Sequence, residues 1–210
     1  MKALRYFLTI AAITAAATTS AQTIDMNAVA DFSPSTQCRV FEICRHTNLQ
    51  PSQQVQIAHM VESQDSIMAA RLKADGGVLT VKSRNAVDRF RANQLKQLLS
   101  DDQLQQYYLG IYDAEASAEA NAITNTLQKK YNLTDQNGKF IRVAFYKIGL
   151  ESRVIKKLMA DKPKAANAKI AKLRQHYIQT IEDKGGIRVD PEAMTVEVIR
   201  PFRPNNLNLD

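Results

Sequence analysis

The sequence predicts a mainly α-helical protein with about five amphipathic helices, in an extended or bundle-like arrangement, and a small C-terminal β-hairpin. Apolar residues recur at helical spacing through most of residues 49–186. Only seven of the 210 residues are glycine, and neither a G-x-G-x-x-G nor a P-loop spacing occurs, which disfavours a nucleotide-binding α/β enzyme. Two Cys and three His are too few for a zinc-ribbon array or a disulfide-dense scaffold.

Residues 1–21 have the composition of an export signal. Lys2 and Arg5 precede an apolar run at 6–17, which is shorter than the roughly 20 residues of a membrane-spanning helix. Small residues follow at 19–21, where a signal peptidase would read them. We therefore expect a periplasmic or secreted protein. Cleavage removes two of the 28 basic side chains and none of the 21 acidic ones, so the formal charge falls from +7 to +5.

Residues 22–48 lack clear periodicity and are expected to form a partly ordered arm. Cys38 and Cys44 lie in this arm, and an oxidising compartment favours a disulfide between them. A continuous helix through residues 39–43 would hold the two Cα atoms about 9 Å apart, beyond the bridging limit of ~7 Å. The sequence therefore leaves open an intrachain bridge, free thiols and pairing between chains.

Two helices are predicted before residue 100. The first begins near Pro51, because proline suits a first helical turn, and ends at Gly76 and Gly77. One face of it carries Ile57, Val61, Met68 and Leu72. The β-prone residues 78–81 come next and are a candidate third strand of the C-terminal tail. The second helix is marked by Val87, Phe90, Leu95, Leu98 and Leu99.

Three further helices and a tail follow. The third helix runs to about residue 131, and the fourth carries two adjacent apolar rows over residues 141–159. So broad an apolar face needs neighbours from the same chain or from a partner. Pro163 separates it from the fifth helix, which ends at a Gly-Gly pair. Residues 187–210 alternate around a proline turn and predict an extended or hairpin tail.

Charge is unevenly distributed along the predicted helices. Residues 101–128 carry five acidic and no basic side chains, whereas residues 129–174 carry thirteen basic and three acidic ones. This pattern favours either a cationic surface for an anionic partner or two neighbouring helices of complementary charge. Aromatic residues are not interleaved with the basic ones, so we expect no nucleic-acid partner.

Three predicted helix starts share a pattern of leucine, capping residue and glutamine. The middle one, Leu99-Ser100-Asp101-Asp102-Gln103, is a complete capping box, in which the serine and the glutamine can each bond the other's backbone N–H. The first, Leu49-Gln50-Pro51-Ser52-Gln53, has glutamine at the capping position. The third, Leu133-Thr134-Asp135-Gln136, is one residue short.

This pattern resembles the repeated LTxxQ motif of exported helical proteins of the Spy and CpxP type. The resemblance covers roughly residues 47–160 and implies a periplasmic, all-helical, often dimeric, cradle-shaped protein associated with envelope stress and chaperoning. It implies a structural role at helix starts for the motif residues Leu49, Gln53, Leu99, Ser100 and Gln103. The Cys-containing arm and the β-prone tail depart from the family pattern.

The sequence contains no recognisable catalytic motif, neither G-x-S-x-G nor H-E-x-x-H. We expect no enzyme activity, cofactor or resident metal, although His59, Met60 and Glu62 are a candidate metal-sensing patch. Aromatic and basic side chains suggest a binding surface made by Tyr107, Tyr108, Tyr112, Arg142, Lys147, Arg153, Lys156 and Lys157. The alternative interpretation is that the three tyrosines pack in the core with their hydroxyls at its edge.

These features lead to two functional hypotheses. The first is an exported, chaperone-like protein that binds unfolded or envelope proteins, forms a homodimer and contacts the anionic envelope surface. The second is a structural or assembly component of an envelope complex, which docks a partner through the broad face of the fourth helix. A hydrolase whose catalytic residues come together only in the fold is an additional hypothesis.

Overall fold

A computed structural model of the chain describes residues 24–191 and 194–199. These residues form six α-helices and a two-stranded antiparallel sheet. The helices are α1 (Pro34–Cys44), α2 (Pro51–Ala74), α3 (Val81–Leu98), α4 (Asp101–Tyr131), α5 (Asp135–Leu158) and α6 (Pro163–Gly185), and the strands are β1 (Ile187–Asp190) and β2 (Thr195–Val198). The predicted fold class is confirmed, with six helices in place of five. The expected export signal lies outside the described residues.

Helix α1 forms within the segment that the sequence assigned to a partly ordered arm. The Ser33 hydroxyl caps it by accepting a hydrogen bond from the N–H of Thr36, and Pro34 occupies the first turn. Val40 and Ile43 are buried where α1 packs against α2. An eleven-residue helix is marginal by itself, so packing on α2 supplies the stability that its periodicity did not reveal.

Residues 78–81 do not form a strand. Thr80 is the N-cap of α3 and accepts a hydrogen bond from the N–H of Ser83, while Val81 is the first residue of the helix. The Asp75 carboxylate accepts hydrogen bonds from both the N–H and the hydroxyl of Thr80, at 2.9 and 3.0 Å. These capping bonds outweigh the β-propensity of the segment, so the third strand suggested by the sequence is absent from the described sheet, which pairs only β1 and β2.

The chain divides into two compact units. The first unit contains residues 24–117 and 149–170, and the second contains residues 118–148 and 171–199. The core of the first unit joins α1 and α2 to α3, the start of α4 and Val154 of α5. The core of the second unit is built on Leu127, Ile141 and Ile181, with Ile187 and Val189 from β1.

The sheet belongs to the second unit and has a single register. Ile187 pairs with Val198 and Val189 pairs with Val196, so the two buried residues of β1 face the helices of this unit. Within the described residues, no helix is long and apolar enough to cross a membrane.

Candidate functional site

The first two predicted helix starts meet in the first unit through their motif glutamines. The side-chain amide of Gln53 donates to Oε1 of Gln103 at 3.0 Å, and the amide of Gln103 donates to Oε1 of Gln53 at 3.0 Å. The second amide hydrogen of Gln53 is donated to the Leu98 carbonyl at 3.0 Å, and that of Gln103 to the Asn48 carbonyl at 2.7 Å. Each glutamine therefore binds the residue that precedes the motif leucine of the other helix start.

The carbonyl oxygens of the same two glutamines complete the arrangement. Oε1 of Gln53 accepts from the N–H of Gln50 at 3.1 Å, and Oε1 of Gln103 accepts from the N–H of Ser100 at 3.0 Å. Two donors and two acceptors are thus used on each amide, which is its full capacity. The motif leucines Leu49 and Leu99 are both buried. The arrangement locks two helix starts to one another and leaves these amides no group for a ligand.

The third predicted helix start is capped by a different residue. The Thr134 hydroxyl accepts from the N–H of Asn137 at 3.2 Å and lies 2.5 Å from Oδ1 of that side chain. Asn137 therefore takes the third helical position that the motif gives to glutamine, and Gln136 precedes it. The start of α5, which lies in the second unit, therefore has a local cap but, within the described residues, no glutamine bonded to another helix start.

The tyrosines of the predicted binding surface are mostly in the core. Tyr107 and Tyr108 are 4% and 5% exposed, and Tyr112 is half-buried with its ring 6.4 Å from that of Tyr108. The Tyr107 hydroxyl accepts a hydrogen bond from Arg91 at 2.8 Å. Burial raises the pKa of Tyr107 and Tyr108 above its usual value. These rings pack against neighbouring helices and are not available to line a surface.

The five basic residues of the predicted surface fall into the two units. Lys156 and Lys157 are exposed in the first unit, where Arg153 forms an ion pair with Glu115 at 3.0 Å. In the second unit Arg142 is exposed and the Lys147 ammonium lies 5.7 Å from the Tyr177 ring centroid. The Glu115–Arg153 pair joins the acidic and the basic segments, as expected for helices of complementary charge.

The broad apolar face of α5 is covered. Its two apolar rows, with Met159 just after the helix, consist of ten residues. Five are buried (Ile141, Ile148, Leu150, Val154 and Ile155) and five are half-buried (Val143, Phe145, Tyr146, Leu158 and Met159). The alternative hypothesis relied on this face to dock a partner. Because none of these side chains is exposed, the described structure does not favour docking through this face.

His59 and His46 occupy unrelated environments. His59 is exposed and lies 3.9 Å from Glu62, whereas His46 packs against α4 at Gly110. Burial, together with nearby Arg45, lowers the pKa of His46 below its ordinary value. Among the described residues no three His, Cys, Asp or Glu side chains come together as a metal-binding group, so His59 and Glu62 have no third ligand of these types there.

Helix α1 holds the two cysteines apart. It is continuous from Cys38 to Cys44, both thiols are free, and the intrachain bridge that the sequence left open is not formed. Cys38 is exposed and Cys44 is buried. Burial raises the pKa of the Cys44 thiol to about 11.

A groove between α2 and α3 is the feature that the sequence did not indicate. It is an open groove of about 620 Å³ in the first unit. It is lined by Met60, Ile67, Phe90 and Leu98, together with Gln56, His59, Ser63, Ser66 and Gln94. In the sequence, the polar residues of this groove have the spacing of ordinary solvent-facing positions on a helix. Only the packing of α2 against α3 shows that these polar residues line a groove together with apolar side chains.

Comparisons with protein-family models, with curated proteins and with solved structures gave no match.

Proposed function

We propose that this chain is an exported, non-enzymatic protein of the bacterial envelope that binds segments of partly unfolded polypeptides in a chaperone-like role. The observation that carries the proposal is the α2–α3 groove. Its lining combines apolar side chains with amides and hydroxyls and contains no Asp, Glu, Lys or Arg.

This lining suits a polypeptide segment of variable sequence. Ile67 and Phe90 are half-buried and provide apolar surface for client side chains, and Met60, which is 4% exposed, forms part of the floor. Gln56 and Gln94 offer amide donors and acceptors that can pair with an extended backbone. Since His59 is the one ionisable side chain of the lining, the groove selects clients by charge only weakly.

The dimensions of the groove support binding of a short segment. A volume of about 620 Å³ lies within the range of roughly 300–1,000 Å³ that is typical of ligand sites. The groove is open to solvent, so a polypeptide segment can reach it without a rearrangement of the fold.

The experiment measures aggregation of reduced insulin in the presence of residues 22–210, which include every described residue. We expect stoichiometric amounts to slow the light-scattering increase. Ser63→Arg/Ser66→Arg places two bulky charges in the groove at exposed positions and should reduce the protection at least severalfold. Ser35→Arg/Ser52→Arg adds the same charges at exposed serines outside the groove lining and should leave the protection unchanged.

Two results would contradict the proposal. If the unchanged protein does not slow aggregation at stoichiometric ratio, the chaperone-like role is wrong. If the groove variant protects as well as the unchanged protein, polypeptides bind elsewhere.

A further inference from the structure

The turn between α2 and α3, together with the first residue of α3, carries the most exposed large apolar side chains described in the chain. We define the hairpin tip as residues 72–84. Val78 and Val81 are 72% and 75% exposed, and Leu72 is 39% exposed. Exposed apolar side chains grouped at a loop mark a contact with a partner or a membrane.

Hydrogen bonds fix the conformation of this tip. The Gly77 N–H donates to the Leu72 carbonyl at 2.9 Å, which ends α2, and Gly76 and Gly77 have φ of 74° and 95°. On the other side of the loop, the Asp75 carboxylate holds Thr80 at the start of α3. The tip is therefore a defined turn that presents Val78 and Val81 to solvent.

Basic residues flank the apolar ones. Lys73, Lys82 and Arg84 are exposed, and Asp75 is the sole acidic residue in the tip, which gives a net charge of +2. In the described ranges, no acidic side chain lies within ion-pair distance of these three cations. Their charge is thus not neutralised by ion pairs within that part of the chain.

The tip also lies beyond the part of α2 that α1 covers. Ile57 and Val61 on one face of α2 are buried, whereas Met68 and Leu72 further along the same face are 37% and 39% exposed. The apolar face is therefore partly exposed toward the tip.

We propose that the hairpin tip binds the surface of an anionic phospholipid bilayer. Val78 and Val81 enter the boundary between headgroups and acyl chains, about 5–10 Å deep, as apolar groups do in interfacial anchors. Lys73, Lys82 and Arg84 remain at the level of the phosphates, to which negative surface potential attracts basic side chains. This assignment is independent of the α2–α3 groove, because none of these five residues lines it.

The main experiment is co-sedimentation of residues 22–210 with vesicles. This chain omits the apolar run at 6–17, which could itself bind lipid. We expect binding to vesicles of phosphatidylcholine with 30% phosphatidylglycerol, and at least tenfold weaker binding to phosphatidylcholine alone. Val78→Asp/Val81→Asp and, separately, Lys73→Glu/Lys82→Glu should each weaken binding to the anionic vesicles at least tenfold.

Matched controls distinguish the tip from other surfaces. Met26→Asp/Val198→Asp changes two apolar residues that are 54% and 57% exposed elsewhere and should retain binding. Lys156→Glu/Lys157→Glu changes two exposed lysines of the basic segment and should also retain most of it.

Fluorescence gives an independent measurement, because the chain contains no tryptophan. Val78→Trp should show a blue shift of its emission on addition of anionic vesicles, and Met26→Trp should show none.

The proposal is overturned if the unchanged protein does not bind anionic vesicles, or if the Lys156/Lys157 variant loses binding while both tip variants keep it. It is equally overturned if Val78→Asp/Val81→Asp binds vesicles normally but loses protection of reduced insulin or a concentration-dependent self-association. Those results would assign the tip to a polypeptide or to a second copy of the chain.

Discussion

Gln53 and Gln103 each donate a side-chain hydrogen bond to the other at 3.0 Å, although fifty residues separate them in the chain. Both side chains also bind the backbone at the opposite helix start and at their own. Two elements that appear in the sequence as separate local caps are therefore one hydrogen-bonded unit. Its loss would loosen the starts of α2 and α4 together.

Replacement of one glutamine by glutamate should destabilise the fold. Gln53→Glu retains acceptor oxygens but has no amide hydrogens for the Leu98 carbonyl and Gln103. We expect a decrease of about 1–3 kcal/mol in the free energy of unfolding, because carbonyls that lose a donor remain half-buried. Urea denaturation followed by circular dichroism measures it.

The third helix start provides the control for this experiment. Gln136→Glu changes the corresponding glutamine where Asn137 makes the cap, so it should alter stability by less than about 0.5 kcal/mol. A double-mutant cycle of Gln53→Ala and Gln103→Ala should give a coupling energy of about 0.5–3 kcal/mol. Strict additivity would show that the reciprocal bond does not contribute.

The sequence predicted the local part of this unit and not the pairing. Capping boxes depend on residues three apart, so Ser100 and Gln103 could be recognised from their spacing alone. The contact between Gln53 and Gln103 depends on how α2 and α4 pack, and no local pattern encodes that. For the same reason the sequence left open whether Tyr107 lines a surface or packs in the core, and packing buries it.

Two helical glycines should respond in opposite ways to alanine. At Gly110 a Cβ would lie 2.2 Å from Nδ1 and 2.8 Å from Cβ of His46, and rotation of the ring cannot relieve the second contact. Gly110→Ala should therefore lower the free energy of unfolding by about 1–3 kcal/mol through overpacking.

At Gly138 the added atom would meet only the end of the Gln128 side chain, which can move away. Gly138→Ala should be neutral or stabilising by up to about 1 kcal/mol, the usual gain in helix propensity. Thermal unfolding of both variants tests the pair, and a stabilised Gly110→Ala protein would contradict the packing of His46 on α4.

The cysteines should differ strongly in reactivity. Cys38 is exposed, whereas Cys44 is buried with its pKa raised to about 11, so only about one Cys44 thiol in a thousand is ionised at pH 8. Native protein treated with a maleimide at pH 8 should take up one label rapidly and the second only on unfolding, as mass spectrometry would show. In Cys38→Ser the rapid label should disappear; rapid labelling that persists would place Cys44 at the surface.

Stability should decrease as the pH falls below about 7. Because the pKa of His46 is lowered in the folded state, chiefly by burial, the unfolded chain binds a proton more readily. The contribution is complete above the unfolded pKa of about 6.5 and is lost as the pH falls toward the folded value. His46→Gln should reduce the difference between the urea midpoints measured at pH 7.5 and pH 5.5. If that difference is the same in the variant, His46 is not a cause of the pH dependence of stability.

Residues 34–44 and 78–81 show why the remaining differences arose. Helix α1 is only eleven residues long, so its amphipathic pattern is short, and its stability comes from packing on α2. In residues 78–81 the valines predicted a strand, but Asp75 and Thr80 form a cap that starts α3 instead. The sequence could not predict that Val78 and Val81 are exposed, because valines in a short apolar run are usually buried by the rest of the fold.

The uneven cover of α2 has a consequence for motion. Its first half is packed between α1 and α3, whereas Met68 and Leu72 in its last turns are 37% and 39% exposed. Segments with few buried contacts open at lower free energy than the global transition. Backbone amides near residues 66–86 should therefore exchange with deuterium through a separate, smaller opening, while those near Ile57 exchange only when the whole unit unfolds.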